Sequence, residues 1–200
     1  MTGLMKMYMD LLDNPEFAGD VMRRVCDFYI AYFKKVFEQA GDLIDIVICG
    51  DDLGTQQSLM MSPDTYRAVI KPQHARLFKA IHEMGAKVLF HCDGAITTII
   101  PDLMDAGIDI LEALQFDAEG NDPVLWKNNF GKKLCFHGGI SVQSTLPFKG
   151  AEDVRREVIE RINVLGKDGG YILAPSHSIQ AGTPAENVVA MFETAKNYKQ

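Results

Sequence analysis

The sequence has no Cys-x-x-Cys pair, no apolar run approaching the ~20 residues that span a bilayer, and no basic stripe along which phosphates could lie. It holds 20 Lys and Arg against 27 Asp and Glu, and the basic residues are scattered along segments of helical pattern. These absences argue against nucleic acid as a partner and against a membrane span. The start, Met1 to Asp10, has no basic stretch leading into an apolar one, so no secretory signal is read there. Cys26, Cys49, Cys92 and Cys135 are far apart and are expected to be reduced thiols. Ten methionines fit an intracellular chain with a soft core, and a cytoplasmic location is the expectation.

What is present is the composition of a soluble globular protein. Of the 200 residues 47% are hydrophobic, enough to bury a core, and the whole chain is read as a single domain. Asn14-Pro15-Glu16 opens a long amphipathic segment running to about Ala40. Phe17, Val21, Val25, Phe28, Tyr32 and Val36 recur in it at helical spacing, which predicts a helix laid over a sheet. A β-branched run follows, Ile44 to Cys49, ending in the polar segment Gly50-Asp51-Asp52-Leu53-Gly54.

The alternation then repeats. Helical patterns at Pro63–Met84, Ile96–Ala106, Pro123–Phe130, Glu152–Leu165 and Pro184–Tyr198 separate strand-like runs at Lys87–His91, Ile108–Glu112, Lys133–His137 and Gly170–Ala174. Strands that recur about every 25 to 45 residues with helices between them require parallel pairing through right-handed crossovers. The predicted class is therefore α/β. Met84-Gly85-Ala86 and Asp105-Ala106-Gly107 are short and glycine-containing, as helix C-termini need.

Polar residues gather where strands end: Asp51 and Asp52, His91 and Asp93, Glu112 and Gln115, His137, then Ser176 and His177. In parallel α/β folds that end carries the site. His91 and Asp93 are two apart on an extended segment and face one way, with Cys92 facing the other. Asp93 has a second reading, as the cap of the helix that follows Asp93-Gly94-Ala95. Asp51 and Asp52 are adjacent, so one of them at most faces inward. His137 has the alternative of supporting the turn at Gly138-Gly139, His74 and His82 are expected to be solvated on one helix, and Trp126 is expected in the core.

Several segments together resemble a known family. They are Gly50-Asp51-Asp52-Leu53-Gly54-Thr55-Gln56, Ser62-Pro63-Asp64-x-Tyr66, Lys71-Pro72, Phe90-His91-Cys92-Asp93-Gly94, Phe136-His137-Gly138-Gly139-Ile140, Pro175-Ser176-His177-x-Ile179-Gln180 and Pro184-x-Glu186-Asn187. In order and spacing they resemble the C-terminal portion of the uroporphyrinogen decarboxylase-like superfamily, which includes the corrinoid-dependent methyltransferases. The resemblance implies a (β/α)8 TIM-barrel fold with its cleft at the C-terminal mouth of the strands. Only about five parallel strands can be found here, so the barrel is expected to be truncated and to leave a sheet edge exposed.

The superfamily implies two chemistries. In the decarboxylases a histidine at the position of His177 lies in the cleft, Asp93-Gly94 fits the pattern, and Asp51 falls at a polar substrate-contacting position. Their polyanionic substrate is held by basic residues from the family's N-terminal part, which lies outside this sequence; no strand-end cluster here carries an Arg, and Asp51 and Asp52 would repel such a substrate at close range. In the methyltransferases a zinc ion is held by a His-x-Cys and a later Cys. This sequence offers His91, Asp93 and His177 instead, a set suited to zinc or another divalent metal and to an oxygen-bearing rather than a thiol substrate.

The candidate residues are thus Asp51, Asp93 and His177 for catalysis; Asp52, Gln56, Glu112, Gln115 and His137 for substrate contact; and His91, Asp93 and His177 for metal. The expected function is methyl transfer between a small donor, such as an ether or alcohol, and a corrinoid protein. The alternatives are a decarboxylase of porphyrin biosynthesis and a non-catalytic remnant. A homodimer is also expected, because related barrels pair.

Overall fold

The computed structural model describes residues 3–198. In chain order the elements are α1 (Leu4–Asp13), α2 (Pro15–Ala40), β1 (Ile46–Gly50), α3 (Pro63–Thr65), α4 (Lys71–Glu83), β2 (Lys87–His91), α5 (Ile100–Ala106), β3 (Ile110–Ala113), α6 (Pro123–Phe130), β4 (Cys135–Ile140), α7 (Thr145–Phe148), α8 (Ala151–Leu165), β5 (Tyr171–Pro175) and α9 (Ala185–Asn197). The five strands follow one another as β1-β2-β3-β4-β5 in one sheet. This is the predicted parallel α/β arrangement, a TIM-barrel type cut to five strands.

The helix starts are written in side chains. Asn14 accepts from Phe17 N–H ahead of Pro15, Ser62 from Thr65 N–H ahead of Pro63, and Asp122 from Leu125 N–H ahead of Pro123. Each pairs a capping oxygen with a proline at the first helical position, where the missing N–H costs nothing. Helix α5 stops at Gly107, whose φ of 112° only glycine adopts freely. Between α3 and α4 the helix widens into a π turn over Tyr66–Ile70, with Lys71 N–H reaching Tyr66 O. Pro72 follows, and its lack of an N–H removes the next ordinary helical bond.

The chain divides into two compact units. One comprises the chain up to Cys49 with Leu59–Phe90 and Thr98–Asp109; the other comprises Gly50–Ser58, His91–Thr97 and the chain from Ile110 onward. In the first, Tyr66, Phe78, Ile81, Phe90, Ile100 and Leu103 are buried. The expected solvated His74 is buried here too, 7% exposed. It stands 3.2 Å from the Tyr66 hydroxyl and against the rings of Phe78 and Phe90. Its position on α4 puts it on the inward face, which a helix-wide reading of polarity could not distinguish. His82 is on the outer face and pairs with Asp109 at 2.7 Å.

Helix α2 corrects a second expectation. Of its predicted apolar face, Phe17, Val25, Phe28 and Tyr32 are 40%, 40%, 63% and 52% exposed, and its buried residues are Ala18 and Cys26. Small residues let α2 approach its neighbour closely: the Cys26 thiol reaches Gln73 O at 3.4 Å, and a Cβ on Gly19 would sit 3.9 Å from Val69. The aromatic rings instead stack along their own helix, Phe28 on Tyr32 and Tyr29 on Phe33. Helix α1 was not legible in the sequence; its Met5 and Met9 are exposed.

In the second unit β3 pairs with β4 and β4 with β5, both parallel, with Glu112 opposite His137 and His137 opposite Ile172. Strand β4 continues three residues past the predicted end at His137, because Gly138 and Gly139 take φ of 115° and 93°. A Cβ on Gly138 would lie 2.3 Å from Ala113 O, so only glycine fits between the neighbouring backbones. Ile140, Leu146, Val154, Val158, Ala190 and Met191 form one buried cluster. Trp126 is fully buried, as expected, and its indole N–H donates to Thr97 Oγ1 at 2.8 Å.

Candidate active site

Every candidate residue lies in the second unit, either within strands β2, β3 and β4, as His91, Glu112 and His137 do, or on the segments that follow strand ends. Strand β2 delivers His91 at its last position, and Cys92 N–H donates to Glu112 O at 2.8 Å. This fixes the two-residue alternation: His91 and Asp93 face the site while Cys92 turns away, 2% exposed, and accepts from Leu53 N–H at 3.3 Å. Burial pushes the Cys92 thiol up to about 12. A thiol so placed stays protonated and is no metal ligand.

His91 is held from behind. Its Nδ1 lies 2.5 Å from Glu112 Oε2, and its Nε2 is 3.7 Å from Asp93 Oδ2 and 3.7 Å from Asp52 Oδ1. His177 Nε2 is 3.9 Å from Asp93 Oδ2, and the two imidazole rings meet edge to face at 5.7 Å. Asp93 and Glu112 raise the His91 pKa from 6.5 to about 10, so the metal-free imidazole is a cation at neutral pH.

The capping alternative for Asp93 fails on its neighbours. Gly94 N–H goes to Gln115 Oε1, Ala95 N–H to Thr55 O and Ile96 N–H to Asn121 Oδ1. The amides an Asp93 cap would serve are taken, which leaves the carboxylate to the histidines. Of the aspartate pair, Asp52 is the one beside His91, accepting from Asp93 N–H at 3.2 Å. Asp51 stands exposed at the end of β1, its N–H donating to His91 O.

Gln115 is nearly buried and both ends of its amide are engaged, by Gly94 N–H and by Gln56 Oε1. The structure therefore brings Gln56 and Gln115 to the turn that carries Asp93. Glu112 likewise backs His91. His137 Nδ1 is buried with no hydrogen-bond partner and sits 3.9 Å from Glu112 Oε1. A buried orphan nitrogen is costly, and this one points at the same cluster rather than at the glycine turn.

A cavity of about 180 Å³ opens beside the histidines, lined by Asp93, Gln115, Val142, Gln143, Ser176, His177 and Gln180. Sequence reasoning missed Gln143 and Gln180 as lining groups. Gln180 stood in a motif already singled out with His177; Gln143, which follows β4, carried no signal.

His91, Asp93 and His177 each present one ligand atom within 4.8 Å of the other two. Ligands of a tetrahedral ion at ~2.1 Å stand ~3.4 Å apart, so a shift of about an ångström in the side chains completes the set. The donors, two imidazoles and a carboxylate, suit zinc or a harder divalent ion, and the Glu112 contact at Nδ1 leaves Nε2 of His91 for the ion. The residues fit a metal.

Replacing Glu112 by Gln removes the negative acceptor that fixes the His91 ring. Metal affinity is expected to fall roughly 10- to 100-fold with the fold retained. Calorimetric titration of zinc checks this; unchanged affinity would remove Glu112 from the site.

Comparison with known proteins places the chain in a family. The model of the family described as "Uroporphyrinogen decarboxylase (URO-D)" matches residues 1–198. The chain is 29% identical over 173 residues to a uroporphyrinogen decarboxylase of Thermus thermophilus, covering 86% of this chain and 46% of that protein. It is 28% identical over 184 residues to a methylated-thiol–coenzyme M methyltransferase of Methanosarcina mazei, covering 92% of this chain and 45% of the relative. The chain thus spans about half the length of the curated relatives it matches. A solved methyltransferase from Methanosarcina mazei shares the fold, with a TM-score of 0.73 at 19% identity over 95% of this chain and 52% of that one. With the predicted motifs, the five-stranded parallel sheet and a family match over nearly its whole length, the chain belongs to the uroporphyrinogen decarboxylase (URO-D) family.

Proposed function

We propose that the chain carries the metal-binding half of a methyltransferase site, acting on a small oxygen-bearing methyl donor and a corrinoid protein. The observation behind this reading is the convergence of His91, Asp93 and His177. A divalent ion held there would activate the oxygen from which the methyl group departs, as a Lewis acid. The residues of the chain supply the rest: Glu112 fixes the His91 ring, Asp52 accepts from the Asp93 backbone, and the adjoining cavity admits a small ligand past Gln143 and Gln180. Asp51, exposed at the entrance, is assigned to contact with the incoming substrate. In such a transfer the donor oxygen keeps the bonding pair as the methyl group passes to the corrinoid.

Decarboxylation of a porphyrinogen is the second reading, favoured by the similarity to the Thermus thermophilus decarboxylase. Against it, Asp51 and Asp52 would repel a polycarboxylate at close range, and segments 50–58, 91–97, 112–118, 137–144 and 175–183 carry no Lys or Arg to offset them. Elemental analysis of the purified chain separates the two. About one divalent ion per chain is the expected result; a chain that takes up neither zinc, cobalt nor manganese on titration would overturn the methyltransferase reading.

Protons compete with the ion for His91. Because its folded pKa is raised to about 10, metal affinity is expected to climb with pH throughout the range below about 10 and to level off above it. The metal-free chain shows the opposite trend: the stability contributed by the His91 cation is fully present below 6.5 and lost as pH rises through about 10. Thermal melts of the metal-free chain across this range, beside His91→Gln, check the sign. A wild-type melting profile that parallels the variant's throughout would refute it.

A further inference from the structure

Asn121 lies outside every candidate set, yet it is buried, 8% exposed, and its whole amide is spent on the segment that presents Asp93. Its Nδ2 donates to Gly94 O at 2.9 Å and to Gln115 O at 2.8 Å. Its Oδ1 accepts from Ile96 N–H at 3.3 Å and stands 3.0 Å from Thr97 Oγ1. Gln115 completes the hold by accepting from Gly94 N–H at 2.8 Å. The peptide immediately after Asp93 is therefore gripped at both its N–H and the next carbonyl by two side chains from the loop between β3 and α6.

The backbone is bent to make this grip. Leu114, buried at 1% exposure, takes a φ of 57°, in the left-handed region that a leucine rarely visits. That turn of the chain comes directly before Gln115. Residues held in such conformations persist where the surroundings over-determine them, and they gather at functional sites. Four of the carbonyl and amide groups of Gly94 to Ile96 have named partners, so the Asp93 carboxylate is the one polar group of the turn aimed at His91 and His177.

We infer that Asn121, together with Gln115, is a positioning residue that fixes the Asp93 carboxylate as a ligand opposite His91 and His177. This rests on the metal reading given above and adds a residue to it. Asn121→Asp keeps the size of the side chain and its Oδ1 acceptor. It replaces the donor with an oxygen facing Gly94 O and Gln115 O, so the turn is pushed apart rather than held.

The test is titration of the purified chain with cobalt(II), read by its visible d–d absorption, for the wild type, Asn121→Asp, Asp93→Ala and the double variant. Far-UV circular dichroism accompanies each titration. Asn121→Asp is expected to bind cobalt roughly 10-fold more weakly or worse, with altered d–d bands. In the Asp93→Ala background the same change is expected to have no further effect, because the carboxylate it positions is gone. An equal loss in both backgrounds would mean a general structural role and overturn the inference. So would wild-type affinity in Asn121→Asp, while the metal reading survived. If the wild type itself bound no cobalt, the metal reading would fall and the inference with it. Should Asn121→Asp not fold, Gln115→Met, which fills the same space and removes the acceptor for Gly94 N–H, goes through the same cycle with the same expected outcomes.

Discussion

Gly94→Ala is expected to destabilise the chain by about 3 kcal/mol or more, well beyond a typical surface change. Gly94 has a φ of 90°, and a Cβ there would lie 2.4 Å from Gly54 C, 2.6 Å from Gly54 O and 2.7 Å from Thr55 O. These are backbone atoms and cannot swing aside as a side-chain end can. They also belong to the strand-like contact in which Ala95 N–H donates to Thr55 O at 2.7 Å. Moving them breaks a hydrogen bond as well as a close contact. Gly85 is the control, with a φ of 96° and open space within 4 Å of where a Cβ would stand. Gly85→Ala bears only the left-handed penalty of about 1–2 kcal/mol. Urea unfolding of both variants measures the difference, and equal losses would show that conformation alone, not close approach, demands glycine at position 94.

The second large effect is on metal. His91→Ala and His177→Ala are each expected to weaken zinc binding by more than the roughly 10- to 100-fold that loss of an outer partner costs, to below stoichiometric retention through gel filtration. Each removes one of the three atoms proposed as ligands, and the two remaining donors hold a divalent ion too weakly to survive filtration, though still measurably in a titration at high metal concentration. The two variants should differ in the metal-free state. His91 is flanked by Asp93, Asp52 and Glu112 at 3.7, 3.7 and 2.5 Å, so its removal leaves three carboxylates without their common cation. His177 is 44% exposed and approaches only Asp93 among these groups, at 3.9 Å. Lower stability of metal-free His91→Ala than of His177→Ala at neutral pH is therefore expected by thermal melting. Full zinc retention in either variant would remove that histidine from the ligand set.

Most of the fold was readable because the chain alternates in period. β-Branched runs such as Ile44 to Cys49 and capped starts such as Ser62-Pro63 announce themselves locally. The site's first members were readable for a related reason, since His91 and Asp93 are two apart on an extended segment and their shared direction follows from the pleat. What was not readable depended on which way a helix turns. His74 and the aromatic residues of α2 could be placed on helices from their spacing, but the inward face of α2 is set by small residues, Ala18 and Cys26, whose contribution is close approach rather than hydrophobicity. Glu112 and Gln115 were read as facing substrate because strand ends do so in general. The partners that occupy them, His91 Nδ1 and Gly94 N–H, come from the end of β2 and the turn after it and appear only in three dimensions. Asn121 gave no signal at all, being an ordinary loop residue by sequence.

The carboxylates of Asp51, Asp52, Asp93 and Glu112 stand at strand ends whose loops carry no Lys or Arg. Such a mouth is a kinetic device as much as a binding one. Its negative potential enriches cations at the entrance before any ligand is engaged, and turns anions back. Capture of a divalent ion should therefore be fast in dilute buffer and slow as salt is raised, with the steepest fall at low salt and most of the effect gone near ~0.1 M, where the screening length has shrunk to ~10 Å. Cationic ligands would arrive sooner than neutral ones of the same size, and the order of arrival at this mouth would depend on the ionic strength around it.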